Sequence, residues 1–437
     1  MENLIYILPF LYFSIIVFYL WKKNPLKDFG IKPNWNIGIF SLKVLGGVAL
    51  WAIYTYIYPE RSTADNFRFF DDAKIMHQAL FEDPLSYLKL LIGFDESDPK
   101  LQKYIVQMFN WDKEYNYFMY NDSRTMLRFN AICLLFSFGN YHVHTIVMSL
   151  FSLIGGLYLF KAFYPFLKEK KHLLLISIFC IPSVLFYSSG VLKEGVLMTG
   201  IGFFFYALFG LQQNIKRIIY WLLLIVGTII LLTMKIYVFI CLVPAILYFM
   251  SNQVILKNNP FIFFMAFNLI AFLAMYGLSI IIPDQDIFYL LYKKKDDFTN
   301  VAMQYEAGSF IHTPNLRPDP ISFLTYIPFA IYTVIMRPYL WEGSSLLMKA
   351  AASENIMLII CMVISLFTMT KKSVNEKRLI YFLISFIFYL YILIGFTTPV
   401  LGAISRYKVP ALPFVLIICL LMIDSQKIKK IFPIQNL

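Results

Sequence analysis

Apolar runs long enough to cross a bilayer recur along the whole chain, and they limit the fold more than any single motif. A membrane-spanning helix needs about 20 such residues. Of the 437 residues, 59% are hydrophobic and 15% are charged, whereas a soluble domain has about 45–50% and about 25%. A transmembrane β-barrel would instead show segments of about ten residues in which apolar and polar residues alternate. We therefore predict an all-α, polytopic membrane protein.

The apolar runs predict about 11 transmembrane helices. They lie near residues 3–21, 37–58, 143–163, 172–188, 195–211, 217–233, 236–251, 260–282, 346–368, 379–397 and 410–424. The first run has no basic region before it and no small-residue cleavage site after it. We therefore expect a retained span rather than a signal peptide.

Two further segments predict helices that do not cross. Residues 321–336 are apolar, but Pro320, Pro328 and Pro338 punctuate them, and proline disrupts a simple helix. We expect a re-entrant or interfacial helix there. Residues 124–138 predict an amphipathic helix at the membrane surface.

Basic residues gather in short intervals between the predicted spans. These intervals are 22–36, 164–171, 212–217, 369–378 and the C-terminal tail. Eleven crossings with the N-terminus outside put all of them on the cytoplasmic side, as the positive-inside rule requires. They also account for the net charge of +12 without nucleic acid, and they favour contact with anionic membrane lipids. We expect a multi-pass protein of the bacterial inner membrane with a cytoplasmic C-terminus.

The chain reads as a single transmembrane domain over residues 1–437, with extracytoplasmic insertions at 59–128 and 283–320. Five cysteines lie within apolar runs without paired spacing, so we expect neither a disulfide nor a zinc site. The spacing of Asp284-Gln285-Asp286 is one by which some nucleotide-sugar enzymes hold a divalent ion, but three-residue patterns arise often by chance. We expect no metal and no other cofactor. A Walker loop, a dinucleotide fingerprint and a nucleophile elbow are also missing from the sequence.

Asp71 and Asp72 are the candidate catalytic residues. They stand among aromatic residues a short distance after a predicted span. A carboxylate that stays ionised takes a proton from an acceptor hydroxyl or amide, and Arg68 and Lys74 flank the pair and favour its charged form. Solvated loop residues or helix caps are the alternative interpretation.

Charged and aromatic residues at the ends of other apolar runs are candidates for substrate binding. They are Arg406, Lys193, Lys235, Arg337, Trp341 and Glu342. A guanidinium at head-group depth offers forked donors to a phosphate, although it also serves as a snorkelling anchor. Lys193 has the alternative of pairing with Glu194, and the Trp341 region that of an aromatic belt. Glu354 lies inside a predicted span and should face the protein interior.

This layout resembles the GT-C class of integral membrane glycosyltransferases, which draw sugars from polyprenyl-phosphate carriers. That class places a catalytic aspartate in the first large extracytoplasmic loop, followed by interfacial helices. The resemblance implies that Asp71 or Asp72 is the base, and that Arg406, Arg337, Lys193 or Lys235 holds the carrier phosphate. It further implies one shared outward pocket. A complete span before the helix that leads into the acidic loop departs from the class pattern.

The function expected from the sequence is therefore transfer of a sugar from a polyprenyl-phosphate carrier to a lipid-linked glycan or protein acceptor at the outer face. One alternative is a polysaccharide polymerase or ligase of the O-antigen type, which depends on outer-loop arginines rather than an aspartate. A transporter, flippase or non-enzymatic subunit of an envelope machine is the alternative from another class. Its mark would be a path of charges through the spans, but the charges here gather at the ends of the apolar runs.

Overall fold

The computed structural model describes residues 2–58, 60–112, 120–251, 259–282, 286–343 and 345–424. The protein is 79% helical, and the described ranges contain two isolated β-bridges but no strand. The all-α fold expected from the sequence is confirmed. Asp284, Gln285 and the basic tail residues lie outside the described residues.

The helices are numbered here in chain order. The first ten are α1 (Glu2–Lys23), α2 (Pro33–Tyr56), α3 (Asp65–Glu82), α4 (Pro84–Ile92), α5 (Pro99–Ile105), α6 (Asp122–Ser137), α7 (Tyr141–Phe163), α8 (Lys171–Phe179), α9 (Pro182–Tyr187) and α10 (Lys193–Gln213). They are followed by α11 (Ile218–Met250), α12 (Pro260–Ile281), α13 (Ile287–Gln304), α14 (Pro320–Met336), α15 (Leu346–Phe367), α16 (Val374–Thr397), α17 (Leu401–Tyr407) and α18 (Leu412–Met422).

Among the described residues, eight helices are long and apolar enough to cross a membrane. The number rises to nine if α17 and α18, which are bent by 63° at a short break, form one span. A membrane-embedded protein with many spans is therefore supported, but the predicted count of eleven is not confirmed. The orientation, the inner membrane and the sides of the two termini stay predictions.

The predicted spans that differ contain residues that interrupt a helix. Residues 172–188 form the two short helices α8 and α9, and α9 begins at Pro182, which has no backbone N–H to donate into a preceding turn. Residues 217–233 and 236–251 were predicted as two spans; together they correspond to the helical stretch α11, which counts as one of the eight candidate spans but breaks at the predicted position. This stretch is interrupted at Lys235, whose φ of −154° and ψ of 84° are not helical.

The two segments predicted not to cross are helical in the structure. Residues 321–336 correspond to α14, which at 17 residues is shorter than the eight candidate spans. Residues 124–138 correspond to α6, which buries Met126, Asn130 and Leu134 along one side and packs against α3. Their depth relative to a membrane stays a prediction.

The contacts divide the chain into two compact units, which we describe separately. Unit 1 comprises residues 1–165, 178–180 and 184–236. Its centre is the packing of α7 against α10, where the helices approach closely because glycines face each other. A Cβ atom at Gly202 would clash with the backbone of Gly155, so this approach requires a residue without a side chain.

Unit 2 comprises residues 166–177, 181–183 and 237–437. One of its cores joins α13, α14 and α16 through Phe288, Leu316, Phe323, Tyr326, Ala330, Ile392 and Phe396. A Cβ atom at Gly395 would lie 2.6 Å from Ala330, which shows how closely α14 and α16 approach. The single domain predicted from the sequence stays a prediction at this level.

Candidate functional site

The first polar insertion is folded into α3, α4, α5 and α6. Asp83, Asp98 and Asn121 begin three of these helices, and each side chain accepts a hydrogen bond from a backbone N–H two residues later. Such caps satisfy donors that the first helical turn leaves without partners. These capping residues therefore help to explain why this polar interval forms helices.

The helix α4 presents an apolar stripe on its exposed side. Leu85, Leu88 and Ile92 are exposed, while Tyr87 and Leu90 on the opposite side are buried. Exposed leucine and isoleucine side chains of this kind are typical of helices that lie at a membrane surface. The sequence predicted such a helix at 124–138 but not at α4, and the position of both relative to a membrane stays a prediction.

Asp71 lies on α3 with its carboxylate half exposed. Its two oxygens accept from Nε and Nη2 of Arg61, both at 2.7 Å, so the pair is bidentate. The Arg61 guanidinium also lies 4.1 Å from the centroid of the Phe67 ring. A forked contact of this kind fixes the orientation of a carboxylate better than a single hydrogen bond does.

The cation at Asp71 is therefore not one of the two that flank the acidic pair. Arg68 lies over the Phe109 ring at 3.7 Å and donates to the Ser62 carbonyl. Lys74 lies over the Phe70 ring at 4.7 Å. The sequence pointed to Arg68 and Lys74, whereas the structure gives that contact to Arg61.

Asp72 has a different environment from its neighbour. It is buried, and it accepts from the backbone N–H of Phe109 at 3.0 Å and from the backbone and side-chain amides of Asn110, both at 2.9 Å. Burial raises the pKa of the Asp72 carboxyl, and the hydrogen bonds from Asn110 and Phe109 oppose that rise. Asp72 thus fastens α3 to residues 109–110, and of the two aspartates Asp71 has the accessible carboxylate.

Lys193 and Glu194 open α10, and each has a partner on another part of unit 1. Lys193 Nζ lies 2.7 Å from Asp122 and donates to Ser123 at 3.2 Å. Glu194 accepts from Lys235 at 2.8 Å, and both side chains are buried. The structure thus brings together two of the charged residues that the sequence singled out.

A further buried cation, Lys43, was missed. It lies on α2, and its ammonium donates to the Ser152 hydroxyl at 2.7 Å and to the Ser188 hydroxyl at 3.0 Å. Ser152 in turn donates to Ser188 at 2.8 Å. The signal was available, because a lysine inside a predicted span is costly unless it has partners.

In unit 2, Arg337 and Glu342 form an ion pair directly after α14. Arg337 Nε donates to Glu342 Oε1 at 2.6 Å, and Glu342 Oε2 accepts from the backbone N–H of Tyr339 at 2.9 Å. The Trp341 ring stacks on Tyr339 with centroids 4.8 Å apart and planes inclined by 11°. Trp341 is 80% exposed, so its other face is accessible.

Polar residues of unit 2 also gather between α15 and the start of α18. Glu354 is buried, as predicted for a residue that faces the interior, and it accepts from the backbone N–H of Ser183 at 2.5 Å. Lys408 is buried and donates to Asn355 Oδ1 at 2.8 Å. Arg406 lies on α17, is partly buried and has interactions of its own.

The predicted site residues belong to both units. Asp71, Asp72, Lys193 and Lys235 belong to unit 1, whereas Arg337, Trp341, Glu342 and Arg406 belong to unit 2. The shared pocket expected from the sequence stays a prediction.

The described ranges hold no group of three or more His, Cys, Asp or Glu side chains placed to bind a metal ion. Asp286, the one described aspartate of the Asp-Gln-Asp pattern, caps α13 by accepting from the Phe288 backbone N–H at 3.0 Å. No protein-family model, curated protein or solved structure matches the chain.

Proposed function

We propose that the protein is a membrane glycosyltransferase that moves a sugar from a polyprenyl-phosphate carrier to a lipid-linked glycan or protein acceptor. Asp71 is the general base in this proposal. The observation that carries it is the half-exposed Asp71 carboxylate, held by Arg61 in a folded polar insertion that directly follows the apolar helix α2.

Two features of the insertion support this assignment over an ordinary loop acid. A general base needs a fixed orientation and an accessible oxygen, and the bidentate contact with Arg61 leaves the Asp71 carboxylate 40% exposed. The exposed apolar stripe of α4, formed by Leu85, Leu88 and Ile92, suits a segment that works beside a lipid-linked substrate.

The proposed reaction is an inverting transfer. Asp71 accepts the proton of the acceptor hydroxyl or amide while the acceptor atom forms a bond to the anomeric carbon of the sugar. The bond between that carbon and the phosphate oxygen breaks, and the carrier phosphate leaves as an anion. A guanidinium stabilises such developing charge well, and Arg406 is the residue that the sequence predicts for this phosphate.

The test is an assay of carrier release. The full chain in nanodiscs is supplied with a panel of polyprenyl-phosphate sugars, with and without glycolipid or peptide acceptors, and free polyprenyl phosphate is measured. We expect release that requires an acceptor. Consumption of diphosphate-linked oligosaccharides alone, with no release from any monophosphate donor, would contradict the proposal and favour a polymerase or ligase.

A further inference from the structure

Unit 2 contains an apolar cavity of about 300 Å³ between α14, α15, α16 and α18. Its walls are mostly aliphatic and aromatic, with Val334, Leu358, Ile387 and Ile418 among them. This volume lies at the lower limit of ordinary small-molecule pockets, about 300–1,000 Å³. A hydrocarbon chain is the kind of group that such walls accommodate without loss of hydrogen bonds.

Polar groups also line this cavity. Lys408, Asn355 and Tyr391 all contribute to its wall. Lys408 and Asn355 are each at least 97% buried, and Lys408 Nζ donates to Asn355 Oδ1 at 2.8 Å. Because an ammonium only donates, this contact fixes the orientation of the amide, with its oxygen toward Lys408 and its nitrogen elsewhere.

The buried amide nitrogen of Asn355 has no hydrogen-bond partner among the described residues. The Lys408 ammonium uses one of its three N–H groups on Asn355, and the structure gives it no second hydrogen bond within the described ranges. A buried polar group without a partner costs about 1–3 kcal/mol. A ligand with acceptor oxygens and a hydrocarbon chain would satisfy these N–H donors and fill the apolar cavity beside them.

We infer that this cavity binds a lipid with a single hydrocarbon chain and a phosphate monoester head. The chain lies along the aliphatic wall, and the phosphate oxygens accept from Lys408 and Asn355. A phosphate supplies three strong acceptor oxygens, enough for all the free N–H groups here. The lipid is either an isoprenoid phosphate or a straight-chain phosphate lipid, and both share this chemistry.

Glu354 modifies this site without occupying its donors. Its carboxylate interacts electrostatically with Lys408, and it accepts from the Ser183 backbone N–H at 2.5 Å. It therefore supplies the counter-charge for the buried ammonium and competes with an incoming anion. Removing that charge should strengthen the binding of a phosphate but not that of a neutral alcohol.

The inference does not depend on sugar transfer, because it concerns binding and is tested without a sugar donor. The experiment is saturation binding of labelled farnesyl phosphate to the full chain in phosphatidylcholine nanodiscs, with farnesol, dodecyl phosphate and inorganic phosphate as competitors. We expect saturable binding that farnesol and inorganic phosphate displace poorly. Stronger competition by dodecyl phosphate than by unlabelled farnesyl phosphate assigns the site to straight-chain lipids, and the reverse assigns it to isoprenoids.

Variants locate the binding. Lys408→Met should weaken it about tenfold or more, because a charge-assisted contact is lost. Glu354→Gln should strengthen it severalfold, whereas Lys349→Met, at an exposed lysine of the same helix as Asn355, should leave it unchanged. Met362→Trp fills the apolar part of the cavity without touching the ammonium, so it should block binding even if Lys408→Met fails to fold.

Three outcomes would overturn the inference. One is equal binding of farnesol and farnesyl phosphate. Another is full competition by inorganic phosphate alone, which would indicate a site for free phosphate rather than a lipid. The third is binding unaffected by both Lys408→Met and Met362→Trp.

Discussion

Lys235 Nζ lies 2.8 Å from Glu194 Oε1, and the two side chains are 5% and 0% exposed. Lys235 is the residue at which α11 leaves helical geometry, and Glu194 lies in the first turn of α10, where a carboxylate is favoured by the helix dipole. Each charge therefore compensates the burial of the other, and the pair joins the break in α11 to the start of α10 within unit 1.

Removing one member of this pair should destabilise the protein strongly. Lys235→Met or Glu194→Gln breaks a buried ion pair by removing one member, which typically costs about 3–5 kcal/mol. The double variant should lose less than the sum of the two single losses. Unfolding in mixed detergent micelles measures the free energies, and strictly additive losses would show that the pair contributes no coupling.

Asp72 should contribute to stability rather than to turnover. Asp72→Ala leaves the buried amides of Asn110 without their acceptor, and each such donor costs about 1–3 kcal/mol. Asp71→Ala breaks a half-exposed ion pair and should cost about 1 kcal/mol or less. Thermal unfolding of the two variants compares them directly, and equal losses would contradict the separate roles assigned to these neighbours.

Lys295 should make stability depend on pH in the alkaline range. It is buried on α13, donates to the Pro314 carbonyl at 2.7 Å, and has a pKa lowered by burial to about 8. The pKa of an unfolded lysine is about 10.4, so between these values the unfolded chain binds more protons and stability rises with pH. Below pH 8, the cost of burying the charged Lys295 ammonium destabilises the folded protein in full. This cost is relieved by about pH 10.4, because the buried lysine is then neutral.

The measurement is the difference in unfolding free energy between the parent protein and Lys295→Met across this range. The parent should gain relative to Lys295→Met as the pH rises. Relative to Lys293→Met, at a partly exposed ion pair on the same helix, it should show no such gain. Parallel curves for the parent and Lys295→Met would mean that the ammonium is not held in a desolvated position.

The sequence predicts that Arg406 holds the carrier phosphate, and in that case its loss should affect turnover more than folding. Removal of an oriented donor to developing charge typically costs about 10²–10³ in rate. Arg406→Lys should recover only part of the loss, because the lysine ammonium keeps the charge but cannot make the bidentate contact. Carrier release by Arg406→Ala and Arg406→Lys is compared with their melting temperatures. A folded Arg406→Ala protein with the parental rate would reduce this residue to an interfacial anchor.

The sequence predicted the class and most of the long helices, because runs of apolar residues determine both directly. It placed the break near Lys235 between two predicted spans, but it did not predict that the segment around Pro182 divides, since hydropathy alone does not reveal how a proline splits an apolar run.

The sequence indicated which charged residues stand out, but it did not indicate which residues they contact. Lys235 and Glu194 each stood out at the ends of apolar runs, but their contact spans 41 positions and depends on how α10 and α11 pack. Asp71 and Asp72 are chemically identical neighbours, and they are distinguished by their contacts, with Arg61 at Asp71 and with residues 109–110 at Asp72. These roles depend on contacts between residues that lie far apart in the sequence, and local sequence patterns do not reveal such contacts.

The most direct test of the proposed function is the rate of carrier release by Asp71→Asn. Asparagine keeps the shape of the side chain but does not accept a proton at neutral pH, and general-base catalysis contributes about 10²–10⁴ in rate. Asp112→Asn is the matched control, because Asp112 is another exposed acid of the same insertion and pairs with Arg124. We predict a loss of that size for a folded Asp71→Asn protein and parental release for Asp112→Asn. Equal release by Asp71→Asn and the parent would contradict the account.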